Sequence, residues 1–131
     1  MKITIHDYNR LMSLLETTSL DAKMPEVAAY LNDVLSTAVV LAPERIPAQV
    51  ITMNSRVLLK DTSGDRSAEL TLTYPHEADH SKGKVSIFSP IGAALLGKQV
   101  GERVSWETPK GKRWFEFVQV TYQPEAVGQY A

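Results

Sequence analysis

Residues 89–101 constrain the fold of this chain more than any other segment, because they carry start and stop signals for a short helix. Ser89 is a good N-cap, since its hydroxyl can accept a hydrogen bond from an unpaired backbone N–H, and Pro90 suits the first helical position. Gly97 favours the left-handed conformation that closes a helix. The β-prone run 85–88 comes first, so the sequence predicts a strand followed by a capped helix.

Downstream of this helix, the sequence is typical of a β-hairpin. Residues 100–102 form a predicted turn into a strand over 104–107, and the turn-prone run 109–112 leads into a long strand over 114–122. The last strand carries aromatic residues on both faces. We therefore expect it to be central in its sheet and partly covered by the helix.

Upstream of the helix, apolar residues alternate with polar ones, which is the period of a β-strand. The pattern predicts two antiparallel strands with one buried face, joined by a turn at 61–65. The alternating apolar positions are Ile51, Met53, Val57 and Leu59 in the first strand and Ala68, Leu70, Leu72 and Tyr74 in the second.

The first 41 residues show the helical period instead. A first helix is predicted with Thr4 or Asp7 as its cap, and a second helix opens at Pro25 and continues to Leu41. The loop between them, residues 17–23, is short, so we expect an antiparallel helical hairpin. The apolar stripes are Tyr8, Leu11, Met12 and Leu15 in the first helix and Val27, Tyr30, Leu31, Val34, Ala38 and Leu41 in the second.

The Pro-flanked run 43–47 reads as a linker, because neither proline can continue a helix. The predicted fold class is therefore α+β, with a helical hairpin over residues 1–46 and a sheet domain with one short helix over residues 47–131.

The composition narrows the classes of function. The net charge of −1 argues against a broad nucleic-acid or membrane footprint, since neutralising phosphates requires clustered positive charge. The chain has no cysteine, and no stretch approaches the roughly 20 apolar residues of a membrane helix. The N-terminal residues lack the apolar run of a signal peptide. We expect a cytoplasmic protein that does not bind nucleic acid sequence-specifically.

Residues 76–80 fit the pattern H-E-x-x-H, in which two histidines on one helical face bind zinc. Pro75 precedes this run and Gly83 follows it closely, with predicted strands on either side. No long helix can therefore present His76 and His80 together. The sequence predicts an exposed loop without a metal.

Residues 92–98 fit the first seven positions of a phosphate-binding P-loop, but the eighth position is Gln99, which offers no hydroxyl to magnesium. The apolar residues between the glycines favour a helix. Ser89 has no histidine and acid partner at a readable spacing, so we predict no catalytic residue and no cofactor.

The order of elements around residues 85–122 is similar to that of the C-terminal domain of the Gre transcript-cleavage factors, which has an FKBP-like fold. Four stretches extend the similarity over most of the chain. They are residues 50–57, Tyr74 with Pro75, residues 90–97 and residues 122–126. Together they resemble the Rnk-type regulators of nucleoside diphosphate kinase, within the GreA/GreB family of transcription elongation factors.

The resemblance implies a non-enzymatic regulator that binds bacterial RNA polymerase near its secondary channel. In Gre factors the loop at the Ser-Pro pair docks on the rim of that channel, which implies a partner-binding role for Phe88, Ser89, Pro90 and Ile91. Phe88 departs from the family, which often has a polar or acidic residue at this position. The alternative for this segment is a purely structural helix cap.

Gre factors stimulate transcript cleavage with two neighbouring acids at the tip of a long coiled coil, which help to hold magnesium. Here the loop between the helices offers Asp21, with Glu16 and Glu26 five residues to either side. The helices are also short. The resemblance therefore implies docking without stimulated cleavage, and Asp21 is either a functional tip residue or a solvated turn residue.

Two alternative functions remain open from the sequence. A peptidyl-prolyl isomerase would need a concave aromatic pocket, for which Trp106, Trp114 and Tyr122 are the candidates. The family name also implies nucleoside diphosphate kinase as a partner, either directly or through an indirect effect.

Overall fold

A computed structural model describes residues 1–62 and 66–129, except for the side chains of Asp21 and of residues 106–108. The fold is mixed α+β. Its helices are α1 (Ile5–Thr17), α2 (Leu20–Lys23), α3 (Pro25–Ser36) and α4 (Pro90–Leu95), and its strands are β1 (Lys2–Thr4), β2 (Val39–Leu41), β3 (Arg56–Asp61), β4 (Ser67–Thr73), β5 (Lys84–Ser86), β6 (Arg103–Thr108) and β7 (Gly111–Tyr122).

Both predicted N-terminal helices begin where the capping residues indicate. The Thr4 hydroxyl accepts a hydrogen bond from the Asp7 backbone N–H at 3.2 Å, which makes Thr4 the N-cap of α1. Pro25 occupies the first turn of α3. The predicted loop between the two helices contains α2. The antiparallel packing of α1 against α3 stays a prediction.

The prediction that the second helix continues to Leu41 is wrong. Helix α3 ends at Ser36, and Val39–Leu41 forms β2, which pairs in parallel with β1. The β-branched residues at 39 and 40 prefer a strand, and Lys2–Thr4 supplies a strand for them to pair with. The pairing partner lies more than 30 residues away, so local periodicity could not reveal it.

The other five strands form one sheet in the order β5-β4-β3-β7-β6. Strand β3 is antiparallel to β4 and β7, β7 is antiparallel to β6, and β5 is parallel to β4. The predicted hairpin of β6 and β7 and the interior position of β7 are confirmed. Strand β6 lies at one end of the sheet.

The first predicted strand is shorter than its alternating pattern indicates. Residues 51–55 connect to β3 without belonging to it, and Asn54 has a φ of 67°, which breaks the extended conformation. The Ser55 hydroxyl accepts a hydrogen bond from the Thr52 backbone N–H at 2.9 Å. This local turn competes with strand pairing, although Ile51 and Met53 are buried as the pattern predicted.

One apolar core joins the segments before and after the predicted linker. It contains Ile3, Leu11 and Leu31 from the first segment, packed with residues such as Leu72 and Phe117 from the sheet. The division at residues 46 and 47 stays a prediction. Within the described residues, no helix is long and apolar enough to cross a membrane.

Candidate functional site

The loop between β5 and α4 is held by hydrogen bonds from two serines. The Ser89 hydroxyl accepts from the Gly92 backbone N–H at 3.1 Å and donates to the Ser86 carbonyl at 2.6 Å. The Ser86 hydroxyl accepts from the Phe88 backbone N–H at 3.0 Å. Ser89 is therefore the N-cap of α4, as predicted, and it also ties the helix start to the strand before it.

Gly92 within α4 and Gly97 just after it each occupy a position where the backbone requires glycine. A Cβ at Gly92 would lie 1.9 Å from the Ser86 carbonyl oxygen, so only glycine lets the first turn of α4 approach the strand. Gly97 has a φ of 76° and closes the helix, as predicted. The Gly97 N–H also donates to the Ile51 carbonyl at 2.9 Å, which fastens the end of α4 to the segment before β3.

The four predicted partner-binding residues differ in exposure. Pro90 is exposed, whereas Phe88, Ser89 and Ile91 are half-buried. The side chains of Phe88 and Ile91 pack against the core. The loop therefore presents Pro90 on a backbone that cannot easily move.

A cavity of about 480 Å³ adjoins Pro90, between α3, α4 and β6. Its lining includes two exposed aromatic residues, Tyr30 and Trp114, which are 39% and 48% exposed. The Lys112 ammonium lies 5.4 Å from the centre of the Trp114 ring. The cavity is lined by Val27, Ala93, Ala94 and Val104 on its apolar side and by Glu26, Lys98, Arg103 and Ser105 on its polar side.

The aromatic pocket of the isomerase alternative is not formed by Trp114 and Tyr122. They lie eight residues apart on β7, which corresponds to roughly 26 Å at the rise of an extended strand. The side chain of Trp106, the third candidate, lies outside the described residues.

A buried cluster around Asp7 links α1 to the segments that adjoin β3 and β4, whereas the sequence predicts only a possible capping role for Asp7. Its carboxylate accepts hydrogen bonds from the Met53 backbone N–H and from the Tyr74 hydroxyl, each at 3.1 Å. The Arg10 guanidinium lies 4.2 Å from the centre of the Tyr74 ring. A signal was present in the sequence, because Asp7 lies four positions before Leu11 on the apolar side of α1.

Burial raises the pKa of Asp7 to about 6, and the nearby Glu125 carboxylate acts in the same direction, whereas the hydrogen bond from the Met53 N–H opposes the rise. Burial also raises the pKa of Tyr74, with the Asp7 charge adding to the effect, so its phenol stays protonated and donates. The cluster thus joins α1 to Met53 and Tyr74 by hydrogen bonds to a titratable carboxyl group.

The segment after β7 is fastened to the same region. The Gln123 amide donates to the Pro47 and Val50 carbonyls at 2.8 and 2.7 Å, and the Thr52 hydroxyl donates to the Glu125 carboxylate at 2.7 Å. Residues 50–57 and 122–126, two of the stretches that carry the resemblance, are therefore in direct contact.

The two histidines of residues 76–80 do not share a helical face. His76 and His80 belong to separate 3-10 turns, Pro75–Glu77 and His80–Lys82, and both are exposed. Among the described residues, no three histidine, aspartate or glutamate side chains group in a way that could hold a metal. The exposed loop is confirmed, and the geometry differs from that of a zinc-protease helix.

The structure also shows which elements contain residues 92–98 and Asp21. Residues 92–98 form most of α4 and the turn that closes it, with the Gly92 N–H engaged by Ser89 rather than free to bind phosphate. Asp21 lies within α2, and its side chain lies outside the described residues.

Residues 46–122 match the family described as "Transcription elongation factor, GreA/GreB, C-term". The chain is 40% identical over 125 residues to the "Regulator of nucleoside diphosphate kinase" of Escherichia coli K12, which covers 95% of this chain and 90% of that protein. It is 43% identical over 99 residues to "Transcription elongation factor GreA" of Chloroherpeton thalassium, which covers 76% of this chain and 63% of that protein.

Solved structures show the same relationship. The "Prokaryotic transcription elongation factor GreA/GreB from Nitrosomonas europaea" is 39% identical with a TM-score of 0.82, over 93% of this chain and 98% of that one. GreA factor homolog 1 of Thermus thermophilus is 28% identical with a TM-score of 0.52, over 93% of this chain and 99% of that one.

Proposed function

Because the chain belongs to the GreA/GreB family of transcription elongation factors, we propose that it is a regulator that binds bacterial RNA polymerase through residues 88–91. The observation that carries the proposal is an exposed proline on a fixed backbone. Pro90 is held between the Ser89 cap and the close approach of Gly92 to Ser86. A surface that is already ordered loses little conformational entropy when it binds.

The docking position in this proposal is the rim of the polymerase secondary channel, and the chain acts there as a non-enzymatic regulator. We also propose that the sheet region has an FKBP-like fold and that the N-terminal helices form an antiparallel hairpin. Helix α1 has 13 residues and so spans roughly 20 Å. Gre factors use two neighbouring acids at the tip of a long coiled coil, whereas a hairpin of this length is short and offers Asp21 at its tip. These differences support docking without stimulated transcript cleavage.

The docking role is tested by Pro90→Glu. Glutamate is tolerated in the first turn of a helix and keeps the Ser89 cap, so the fold should persist while a charge enters the centre of the proposed contact. We expect the affinity for purified RNA polymerase to fall about tenfold or more. Pro109→Glu, an exposed proline in the turn between β6 and β7, is the matched control.

Thermal unfolding of both variants separates a lost contact from a lost fold. If Pro90→Glu is folded and binds polymerase as tightly as the parent, the docking role is wrong and residues 88–91 are scaffold. Equal weakening by Pro109→Glu would show that added negative charge, and not the loop, is responsible.

Cleavage is tested on backtracked elongation complexes. The protein alone should leave the transcript length unchanged, whereas a GreA protein added as the positive control shortens it. Pre-incubation with the protein should slow that shortening, because both occupy the same rim. Shortening by the protein alone would contradict the proposal, and undiminished action of the control factor would argue against a shared site.

The relative named as a regulator of nucleoside diphosphate kinase favours a second candidate function, binding to that kinase. Purified kinase and purified polymerase can be offered separately to the immobilised protein. Retention of the kinase alone would favour direct binding to it and refute the polymerase proposal. Retention of polymerase alone would make any effect on the kinase indirect.

A further inference from the structure

Strand β6 is the end strand of the five-stranded sheet and pairs only with β7 in the described part of the chain. Such an edge presents backbone N–H and C=O groups that can pair with another strand. The groups on the outer side follow from the register. The Phe117 N–H donates to the Glu102 carbonyl, whereas the Trp114 carbonyl accepts from Thr62 on the opposite side.

In an antiparallel pair, hydrogen-bonded and non-hydrogen-bonded positions alternate. Residues 104 and 106 therefore bond to β7, and the backbone groups of residues 103, 105 and 107 point away from the sheet. This places three outward N–H and C=O pairs along the edge of β6.

The cavity beside Pro90 runs along this edge. Three consecutive residues of β6, Arg103, Val104 and Ser105, line it. Successive side chains of a strand point to opposite faces, so a cavity touched by all three lies at the strand edge rather than on one face.

The charges along β6 are complementary to a second copy of the same strand. If two copies pair antiparallel around Ser105, Arg103 of one copy lies opposite Glu107 of the other, and the outward backbone groups face each other. Within one copy, Arg103 is already opposite Glu116, and Glu107 is opposite Lys112. Across the four strands at the junction, the charges therefore alternate: Lys112 and Glu107 of one copy are followed by Arg103 and Glu116 of the other. Opposite charges at neighbouring cross-strand positions stabilise a sheet.

Trp114 supports the same pairing. It is opposite Ser105 and is 48% exposed. Because serine is small, the indole ring can reach over Ser105 towards the strand edge, where a second copy would cover it. Burial of a large exposed aromatic residue adds apolar contact to the backbone pairing.

We propose that a second copy of this chain binds along β6 in this register, which forms a continuous ten-stranded sheet across a two-fold axis. The proposal stands apart from polymerase binding. Pro90 lines the same cavity, so the second copy covers part of the surface around the loop. Self-association would therefore reduce the population of chains with that surface open.

Charge reversal tests the register. In Arg103→Glu both junction pairs become Glu opposite Glu, and in Glu107→Arg both become Arg opposite Arg, so each variant alone should dimerise at least tenfold more weakly than the parent. The two variants mixed together should form a heterodimer, because every junction pair is again opposite in charge. Sedimentation velocity over a concentration series measures each case, and Lys82→Glu, at an exposed position outside β6, is the control.

The mixture of the two variants shows whether a weaker dimer results from like charges at the junction or from damage to the fold of each variant. Each single variant also loses a favourable neighbour within its own sheet, and mixing cannot restore that contact. Recovery of the dimer in the mixture thus supports the proposal. A parent that stays monomeric up to its solubility limit overturns it, as does a dimer that neither reversal weakens or a mixture that fails to restore association between folded variants.

Discussion

Replacing Asp7 with asparagine removes the titratable group at the centre of the buried cluster while keeping its size. The amide oxygen can still accept from the Met53 N–H, and the amide nitrogen can donate to the Tyr74 hydroxyl oxygen. The comparison between Asp7→Asn and the parent therefore isolates the cost of holding a carboxylate in this position.

The direction of the pH dependence follows from the raised pKa. In the unfolded chain the carboxyl loses its proton near its ordinary pKa of 3.8, whereas in the folded state it keeps the proton up to about pH 6. The folded state binds more protons within this window, so the free energy of unfolding of the parent falls as the pH rises through it. The stabilising contribution is fully present below the unfolded pKa and is lost above the folded one.

The pKa difference of roughly two units corresponds to about 3 kcal/mol, at about 1.36 kcal/mol per unit. Asparagine does not titrate, so the variant should gain up to this amount relative to the parent between about pH 4 and pH 7. Urea denaturation at a series of pH values measures the difference. Asp33→Asn, at an exposed position in α3, is the matched control.

Parallel stability profiles of Asp7→Asn and the parent across this range would refute the reasoning. They would mean that the hydrogen bonds from Met53 and Tyr74 fully offset the burial of the carboxylate. A parent that gains stability over the variant as the pH rises would reverse the assigned direction of the shift.

Two further predictions concern the junction of β5 and α4. Ser89→Ala should lower the free energy of unfolding by roughly 1 kcal/mol, and Ser89→Thr should keep most of it, since threonine can both cap Gly92 and donate to Ser86; equal stability of all three proteins in denaturant titrations would show that the cap contributes nothing. Gly92→Ala should cost about 3 kcal/mol or more, because its Cβ meets the Ser86 carbonyl, and unchanged thermal unfolding would contradict that close approach.

The sequence predicted the part of the fold that depends on local signals. Caps and turn residues locate the starts of α1, α3 and α4 and the hairpin of β6 and β7, and strand alternation locates β4. The sequence does not predict the pairing of β1 with β2, because it joins residues that are distant in the chain. The sequence does not predict the turn at residues 52–55 either, because the buried residues there follow the alternation of a strand.

The candidate site was predictable to a similar extent. The residue type and position of Ser89 predict the cap, but its second hydrogen bond to Ser86 depends on the path of β5. The side chains of Phe88 and Ile91 are half-buried and pack against the core, and their partner-binding role stays a prediction. The Asp7 cluster depends on Met53 and Tyr74, which only the folded chain brings together.

Three of the four stretches that carry the resemblance contact the fourth, residues 50–57, either directly or through Asp7. Gly97 bonds to Ile51, Gln123 bonds to Val50, and the Asp7 carboxylate bridges Met53 and Tyr74. These contacts position α4 and the end of β7 against the segment before β3, which gives Gly97, Gln123 and Tyr74 a structural role. Pro90 differs because it is exposed, so its ring is open to a partner as well as suited to the first helical position. The evidence for docking at this surface therefore depends on Pro90, and its substitution separates a binding role from a structural one.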